Sequence, residues 1–496
     1  LNSTSKISRV VIAGGGTAGW MTAATISKTL GTQLDITLIE SSEIGTIGVG
    51  EATIPTMLSF HTLLQIDEQE FMRAVNGSIK LGISFENWLE RGQKYIHSFG
   101  KNGKEFWAAD FHHFWLKAKE IGINESFGDY CLELQAAKEG KFAISKDPWI
   151  NYAYHMDATA YGKFLRGFSE KLGVKRIEGI IQKVNLNVDT GFIESLLLKS
   201  GQVVEGDLFI DCTGFRSLLS EQALHTGFED WSNWLPCDSA VATQESAIAP
   251  PIPLTRAIAH DHGWQWKIPL QNRVGTGLVY CSRYQSDESA KQTLLDNLEG
   301  EAFFDPKLIK FRTGRRRKTW NKNCIAIGLS ASFIEPLEST TIFLISSNLL
   351  RLVRLFPVNG IDPLLADEFN RQAVEEVEEV RDFVVLHFHA TRRTDTEFWR
   401  HCRTMPIPES LSRRINLFRE TGSIFIEPRE LFRVDSWTQV MIGQGIMPKQ
   451  YNGIVNTMKD DDLHRYLTGH KANVQRELAK LPILGDFLHE YCPTEI

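Results

Sequence analysis

Arg9–Ala13 is a short apolar run that leads straight into Gly14-Gly15-Gly16-Thr17-Ala18-Gly19, and Trp20–Leu30 beyond it has helical periodicity. Strand, G-x-G-x-x-G turn and helix in that order predict the opening of a dinucleotide-binding β-α-β unit. Gly14 permits the tight turn, Gly16 lets the backbone approach a pyrophosphate, and Gly19 lets helix and strand pack closely. Thr17 and Ala18 stand at the helix N-terminus, whose free N–H groups and dipole favour phosphate. Leu34–Ile39 alternates like a second strand and ends on Glu40, 21 positions after Gly19. A carboxylate there can accept hydrogen bonds from ribose hydroxyls. A glycine turn with no ligand is the plainer alternative, but it leaves the register of strand, helix and acid unexplained.

Further along, residues 41–60 are punctuated by Gly, Thr and Pro and read as loop. Residues 61–95 look mostly helical, and residues 96–150 look irregular and aromatic-rich. Tyr161–Leu172 reads as a helix. Ile177–Asn187, Phe192–Lys199 and Asp207–Asp211 read as strands, with turns at Asp189-Thr190-Gly191 and Ser200-Gly201. More strands fall within 255–285. Thr341–Phe356 and Pro363–His387 read as helices, the second with Asp362 as N-cap and Pro363 at the first helical position. The remainder is mainly helical. Strands of the nucleotide unit are spread between residues 9 and 330, so the expected architecture is one interleaved α/β fold. Residues 1–345 form the cofactor module, with substrate-site insertions at about 90–155. Residues 346–496 form a mainly helical region on the substrate side.

Composition narrows the function. The 496 residues carry a net charge of −7, which argues against a general nucleic-acid or anionic-membrane binder. No stretch approaches the roughly 18 uninterrupted apolar residues of a membrane helix. The seven cysteines lack CxxC pairs and zinc spacing, which predicts reduced thiols in a cytoplasmic protein. His112 and His113 adjoin, but no carboxylate or cysteine completes a ligand spacing, so no metal is expected. Arg315, Arg316, Arg317 and Lys318 read more simply as a solvated charge run than as a phosphate contact.

Several segments point to one family as a set. Asp207–Ser217, a strand ending at Asp211, and Asn323–Ser330, with Gly328 and Leu329, resemble the later segments that FAD-binding monooxygenases fold over their cofactor. Gly263-Trp264-Gln265-Trp266-Lys267-Ile268-Pro269 fits W-x-W-x-I-P. Glu335-Pro336-Leu337-Glu338-Ser339-Thr340 reads E-P-L-E-S-T, and Gly48–Pro55 reads G-x-G-E-[AS]-T-x-P. Tyr152–Asp157 and Gly443–Pro448 add supporting matches. Together, and in this order, they resemble the flavin-dependent halogenases of the tryptophan-halogenase type, from the first strand to about residue 450.

That resemblance implies an FAD-binding fold of the hydroxybenzoate-hydroxylase and glutathione-reductase type, with Gly50, Glu51 and Ala52 also beside the flavin. It implies FADH2 from a separate, transiently engaged flavin reductase, and a halide bound at the backbone of Thr340 and Thr341. Tryptophan halogenases carry glycine at the second of those positions. Hypohalous acid formed at the flavin would travel to Lys80, with Glu338 as partner acid and Ser339 beside it. Trp264, Trp266, Ile268 and Pro269 would line the passage. His97 and Phe99, in a Y-x-H-x-F-G segment, would hold the aromatic substrate. Chemistry explains the residue types: a lysine amine is nucleophilic only when deprotonated, and a carboxylate can take the ring proton.

The implied activity is chlorination or bromination of an electron-rich arene such as indole or tryptophan. The tyrosine, glutamate and asparagine cluster that grips the amino-acid end in tryptophan halogenases has no clear counterpart after Gly445, so indole-like substrates are expected. Two alternatives stand beside this: a single-component FAD hydroxylase, which needs an NAD(P)H site that no second glycine fingerprint supplies, and a non-catalytic flavin sensor. The sequence leaves homo-oligomer formation open.

Overall fold

The structure is a computed structural model, and it describes residues 6–43, 50–104, 106 and 109–494. Gly48 and Val49 of the G-x-G-E segment lie outside the described residues. A six-stranded sheet runs in the order Trp320–Asn321, Cys324–Ala326, Leu208–Asp211, Arg9–Ala13, Asp35–Glu40, Lys175–Glu178. All its neighbours are parallel except Trp320–Asn321. Ala13 sits opposite both Asp211 and Ile39, and Asp211 sits opposite Ala326. Three strands therefore end level, and the turns that follow them gather at one edge. Open α/β sheets bind ligands at that edge, beyond the carboxyl ends of the strands.

The second sheet has seven strands, in the order Lys307–Lys310, Ser239–Ser246, Arg273–Tyr280, Gly263–Pro269, Leu254–Ala259, Gly82–Glu86, Lys94–Ser98. A third, small sheet joins the two regions: Gly50–Ala52 and Ser78–Lys80 flank Ala153–Asp157 on opposite sides. Covering the seven-stranded sheet is the long helix Pro363–His389. Asp362 caps it, accepting from Leu364 N at 2.8 Å. Residues 383–388 of this helix are buried on every side, as a helix passing through a core must be.

Three expectations need correcting. Residues 61–95 are not mostly helical. Helices Thr56–Leu64 and Glu68–Ala74 are followed by strands Ser78–Lys80, Gly82–Glu86 and Lys94–Ser98. Asn76, in the left-handed region at φ 49°, breaks the helical path before Gly77. Ile79, Leu81, Ile83 and Phe85 then alternate with period two and are all buried, which is the strand signature. Residues 96–150 are irregular only in part: they also hold helices Phe111–Glu120 and Leu132–Glu139. Phe111, Phe114, Trp115 and Ala118 fall at helical spacing on one buried face. Nor is the 315–318 run a simple solvated patch. Arg316 is buried and donates to Ser217 Oγ at 2.9 Å and to Ser330 O at 3.1 Å, pinning two loops of the crevice together.

A Cβ at Gly19 would stand 1.8 Å from Gly14 O. Gly19→Ala therefore has to force the first helix off the first strand. We expect a loss of more than about 3 kcal/mol of stability together with loss of bound flavin, read by denaturant unfolding and by flavin fluorescence. A variant that unfolds like the wild type and keeps its flavin would refute this packing.

Candidate active site

The crevice is built from backbone. Gly14 sits at φ +108°, and a Cβ there would strike Cys212 O at 2.3 Å. Gly16, by contrast, has nothing within 4 Å of where its Cβ would stand, so the turn leaves room above the helix Thr17–Leu30. The first N–H groups of that helix have no intrahelical partner. Gly328 closes the other wall: its Cβ would meet Ala18 Cβ at 2.8 Å. Leu329 follows in the same short turn, Gly328–Ser330. This cradle fits a dinucleotide pyrophosphate.

Glu40 stands at the mouth, accepting from Trp20 Nε1 at 3.3 Å and pairing with Arg176. Asp211 is tied to the loops around the crevice. It is fully buried and accepts from Thr213 N, Leu219 N, Ser220 N and the hydroxyls of Thr213, Ser220 and Ser330.

The small sheet carries the site inward. Ala52 and Lys80 pair with opposite sides of one strand, opposite His155 and Ala153. Glu51 and Lys80 are close enough that each shifts the other's ionisation. Burial raises the Glu51 carboxyl to about 7, against the pull of the Ala52 N–H and of Lys80. Lys80 is completely buried, and its Nζ donates to Ser339 Oγ at 2.7 Å. Burial lowers its amine to about 7, against the opposing pull of Glu338 and Glu51. Phe99 lies with its ring centroid 5.2 Å from Nζ.

Ser339 can face Lys80 because it occupies the left-handed region, φ 58° and ψ 37°, at the end of the short turn Pro336–Glu338. The preceding Glu338 is buried between two imidazoles. His97 Nδ1 lies 3.1 Å and 2.9 Å from its two oxygens, and His387 Nε2 lies 2.9 Å from Oε1. Burial alone raises such a carboxyl, but the two histidines outweigh it and hold Glu338 at about 2.

Trp264 and Trp266 are buried on the strand Gly263–Pro269, with ring centroids 6.2 Å apart. Trp264 Nε1 donates to Glu335 Oε2 at 2.8 Å. At the other end of the strand, Ile268 rests against Gly50, and Pro269 O accepts from Ser78 Oγ at 2.5 Å. One strand thus touches the first acid of E-P-L-E-S-T, the Gly50 strand and the Lys80 strand. Thr340 and Thr341 line a cavity with Gly328, Ser332, Ile334 and Leu344, where the cofactor crevice meets the helix Thr341–Arg354.

A sequence profile described as tryptophan halogenase matches residues 9–460. The chain belongs to the tryptophan halogenase family. It is similar to the tryptophan 7-halogenase RebH of Lentzea aerocolonigenes, 37% identical over 98% of this chain and 99% of that one. Among solved structures it is similar to Xcc4156, a flavin-dependent halogenase from Xanthomonas campestris, at 52% identity and a TM-score of 0.97, covering 99% of each chain. It is also similar to BrvH, a flavin-dependent halogenase from Brevundimonas sp. BAL3, at 42% identity and a TM-score of 0.94 over 98% of this chain and all of that one. The protein is a flavin-dependent enzyme with the FAD-binding fold of this family.

Sequence reasoning missed His387, Tyr95 and Gln444. His387 hides in an apolar helical run, where nothing marks it as polar machinery. Tyr95 Oη and Gln444 Oε1 are buried without a protein partner, and Gln444 Nε2 donates to His387 O at 2.8 Å. The reading of His112 and His113 also needs amending, because Asp110 joins them with ligand atoms within 4.8 Å of one another. His112 Nε2 donates to Gly422 O at 2.7 Å and His113 Nδ1 accepts from Asn452 N at 3.2 Å, so both rings also serve as structural struts. All seven cysteines are free and buried. No described helix is long and apolar enough to cross a membrane.

Proposed function

We propose that this halogenase modifies a flat, electron-rich arene of the indole class at Lys80. The observation that carries the reading is the 2.7 Å bond from a fully buried Lys80 Nζ to Ser339, next to a buried ionised Glu338. When bound, reduced flavin supplies with dioxygen the oxidising power that turns halide into hypohalous acid. Its FADH2 comes from a separate flavin reductase. Halide sits at the N-terminus of the helix Thr341–Arg354, whose first N–H groups and dipole suit an anion beside the Gly328 wall.

Lys80 then captures the halogen. Its neutral amine attacks the halogen of hypohalous acid, the O–X bond breaks, hydroxide leaves, and an N-haloammonium remains. The arene attacks that halogen, the N–X electrons return to nitrogen as the neutral amine, Glu338 takes the proton from the substituted ring carbon, and the hydroxide then carries that proton off as water. The negative carboxylate also stabilises the cationic ring before the proton departs. Phe99 supplies an apolar face for the substrate ring, and His97 stands two positions before it on the strand Lys94–Ser98.

Indole-like substrates fit better than tryptophan. The polar side chains after Gly445 are engaged locally: Lys449 with Glu420, Tyr451 with Asn456, and Asn452 with Ile454 N. None of these bonds reaches Glu338 or Lys80. With NADH, FAD, a flavin reductase and bromide, we expect indole to be brominated at least as fast as tryptophan, read by the paired bromine isotope masses. Strict selectivity for tryptophan would overturn this substrate reading, and absence of any brominated arene would overturn the halogenation reading.

A further inference from the structure

Glu335 and Glu338 stand three positions apart and are equally buried, yet they face different surroundings. Glu335 accepts from Trp264 Nε1, leaves Oε1 without a partner, and pairs with no described cation. Burial pushes its carboxyl up to about 8. Glu338 faces His97 and His387 and lies at about 2. What separates the two acids is the pair of rings.

The two rings are not equivalent. His97 can meet Glu338 as a neutral imidazole with its hydrogen on Nδ1. His387 cannot. Its Nδ1 lies 2.8 Å from Phe383 O, and a carbonyl only accepts, so Nδ1 carries a hydrogen. Its Nε2 lies 2.9 Å from Glu338 Oε1 and hydrogen-bonds nothing else. A bare Nε2 would set its lone pair against a carboxylate in a dry site. A hydrogen on Nε2 makes the ring a cation beside an anion, and a buried charge is tolerable only when paired. Phe85, Trp88 and Phe383 wall the ring with centroids at 4.6, 6.3 and 5.4 Å, so little else can satisfy it.

We propose that His387 is a positioning residue whose imidazolium keeps Glu338 ionised and correctly placed, so that the ring proton is received by a Glu338–His387 pair rather than by Glu338 alone. This rests on the halogenase reading above. The step is balanced: the C–H electrons restore the aromatic ring, the proton goes to a Glu338 oxygen, and the imidazolium is unchanged. The other groups facing Glu338 are Lys80 and Ser339 from the amine side and Tyr95 and His97 from the strand Lys94–Ser98. Glu51 acts on it only through Lys80.

The test compares His387→Leu and His387→Gln with the wild type and with Glu338→Gln, all as flavin-loaded full chains, in reductase-coupled bromination of indole from about pH 6 to about pH 10. Without the cation, Glu338 keeps only His97 against the raising effect of burial, so its carboxyl moves up. The variant-to-wild-type ratio should therefore be lowest at the acid end of the series and rise toward one as pH increases. The glutamine variant keeps a donor without charge, so its ratio should show the same pH trend at smaller amplitude. It carries the test if the leucine variant does not fold. A ratio that is flat with pH, whether near one or uniformly low, overturns the proposal. If wild type brominates indole and Glu338→Gln loses the activity, a flat ratio sinks only the role of His387. If wild type makes no brominated arene, the underlying reading fails instead.

Discussion

Lys80→Ala is expected to lose halogenation by a factor on the order of a thousand or more while keeping its flavin. The amine is the only group on Ser339 Oγ from the short strand Ser78–Lys80, and alanine leaves neither nucleophile nor donor there. Stability should suffer little from the lost charge, because a buried lysine lowered to about 7 is no large source of binding energy. The same value predicts the wild-type pH profile. Capture of halogen needs the neutral amine, so the rate should rise as pH passes about 7 and fall roughly tenfold per unit below it. Flavin absorbance, single-turnover product yield and a pH–rate series check all three statements. Wild-type yield from the alanine variant would remove Lys80 from the chemistry.

Glu338→Gln is the second large effect, a loss of about a hundredfold to a thousandfold. Glutamine preserves the size of the side chain but takes up no proton and stabilises no cation. Its single NH2 must take one of the two oxygen positions, so a donor now faces either His97 Nδ1 or His387 Nε2. The wild-type acid limb should not come from Glu338, since a carboxyl at about 2 stays ionised throughout the working range. Substrate binding should change much less than turnover, so the loss should sit in kcat. A variant with intact kcat would show that another group takes the ring proton.

The nucleotide edge was readable because its logic is local. Gly14, Gly16 and Gly19 lie within one turn, and Glu40 follows one helix and one strand later. The chemistry at Lys80 was not readable from residue properties. Its hydroxyl partner is 259 positions away, and nothing about a lysine in sequence reveals that its amine is dry. Only the joint order of the family segments singled it out. The strand Gly82–Glu86 carried a legible period-two pattern, yet the helical stretch before it dominated the reading. His387 stayed invisible for the opposite reason. A histidine inside Val384, Val385, Leu386 and Phe388 reads as core, and its contact with Glu338 exists only once helix Pro363–His389 crosses the E-P-L-E-S-T turn.

Trp264 and Trp266 have a chemical vulnerability of their own. On the proposed reading the protein handles an electrophile meant for indoles while keeping two indoles in its own wall. Both rings are at least nine-tenths buried, and the Trp264 nitrogen is committed to Glu335. Gly277 sits so tightly against Trp266 that a Cβ would fall 2.3 Å from the ring. The fit that holds this strand in place also shields it from self-inflicted damage. Loosening it to admit bulkier guests would trade broader scope for a shorter working life.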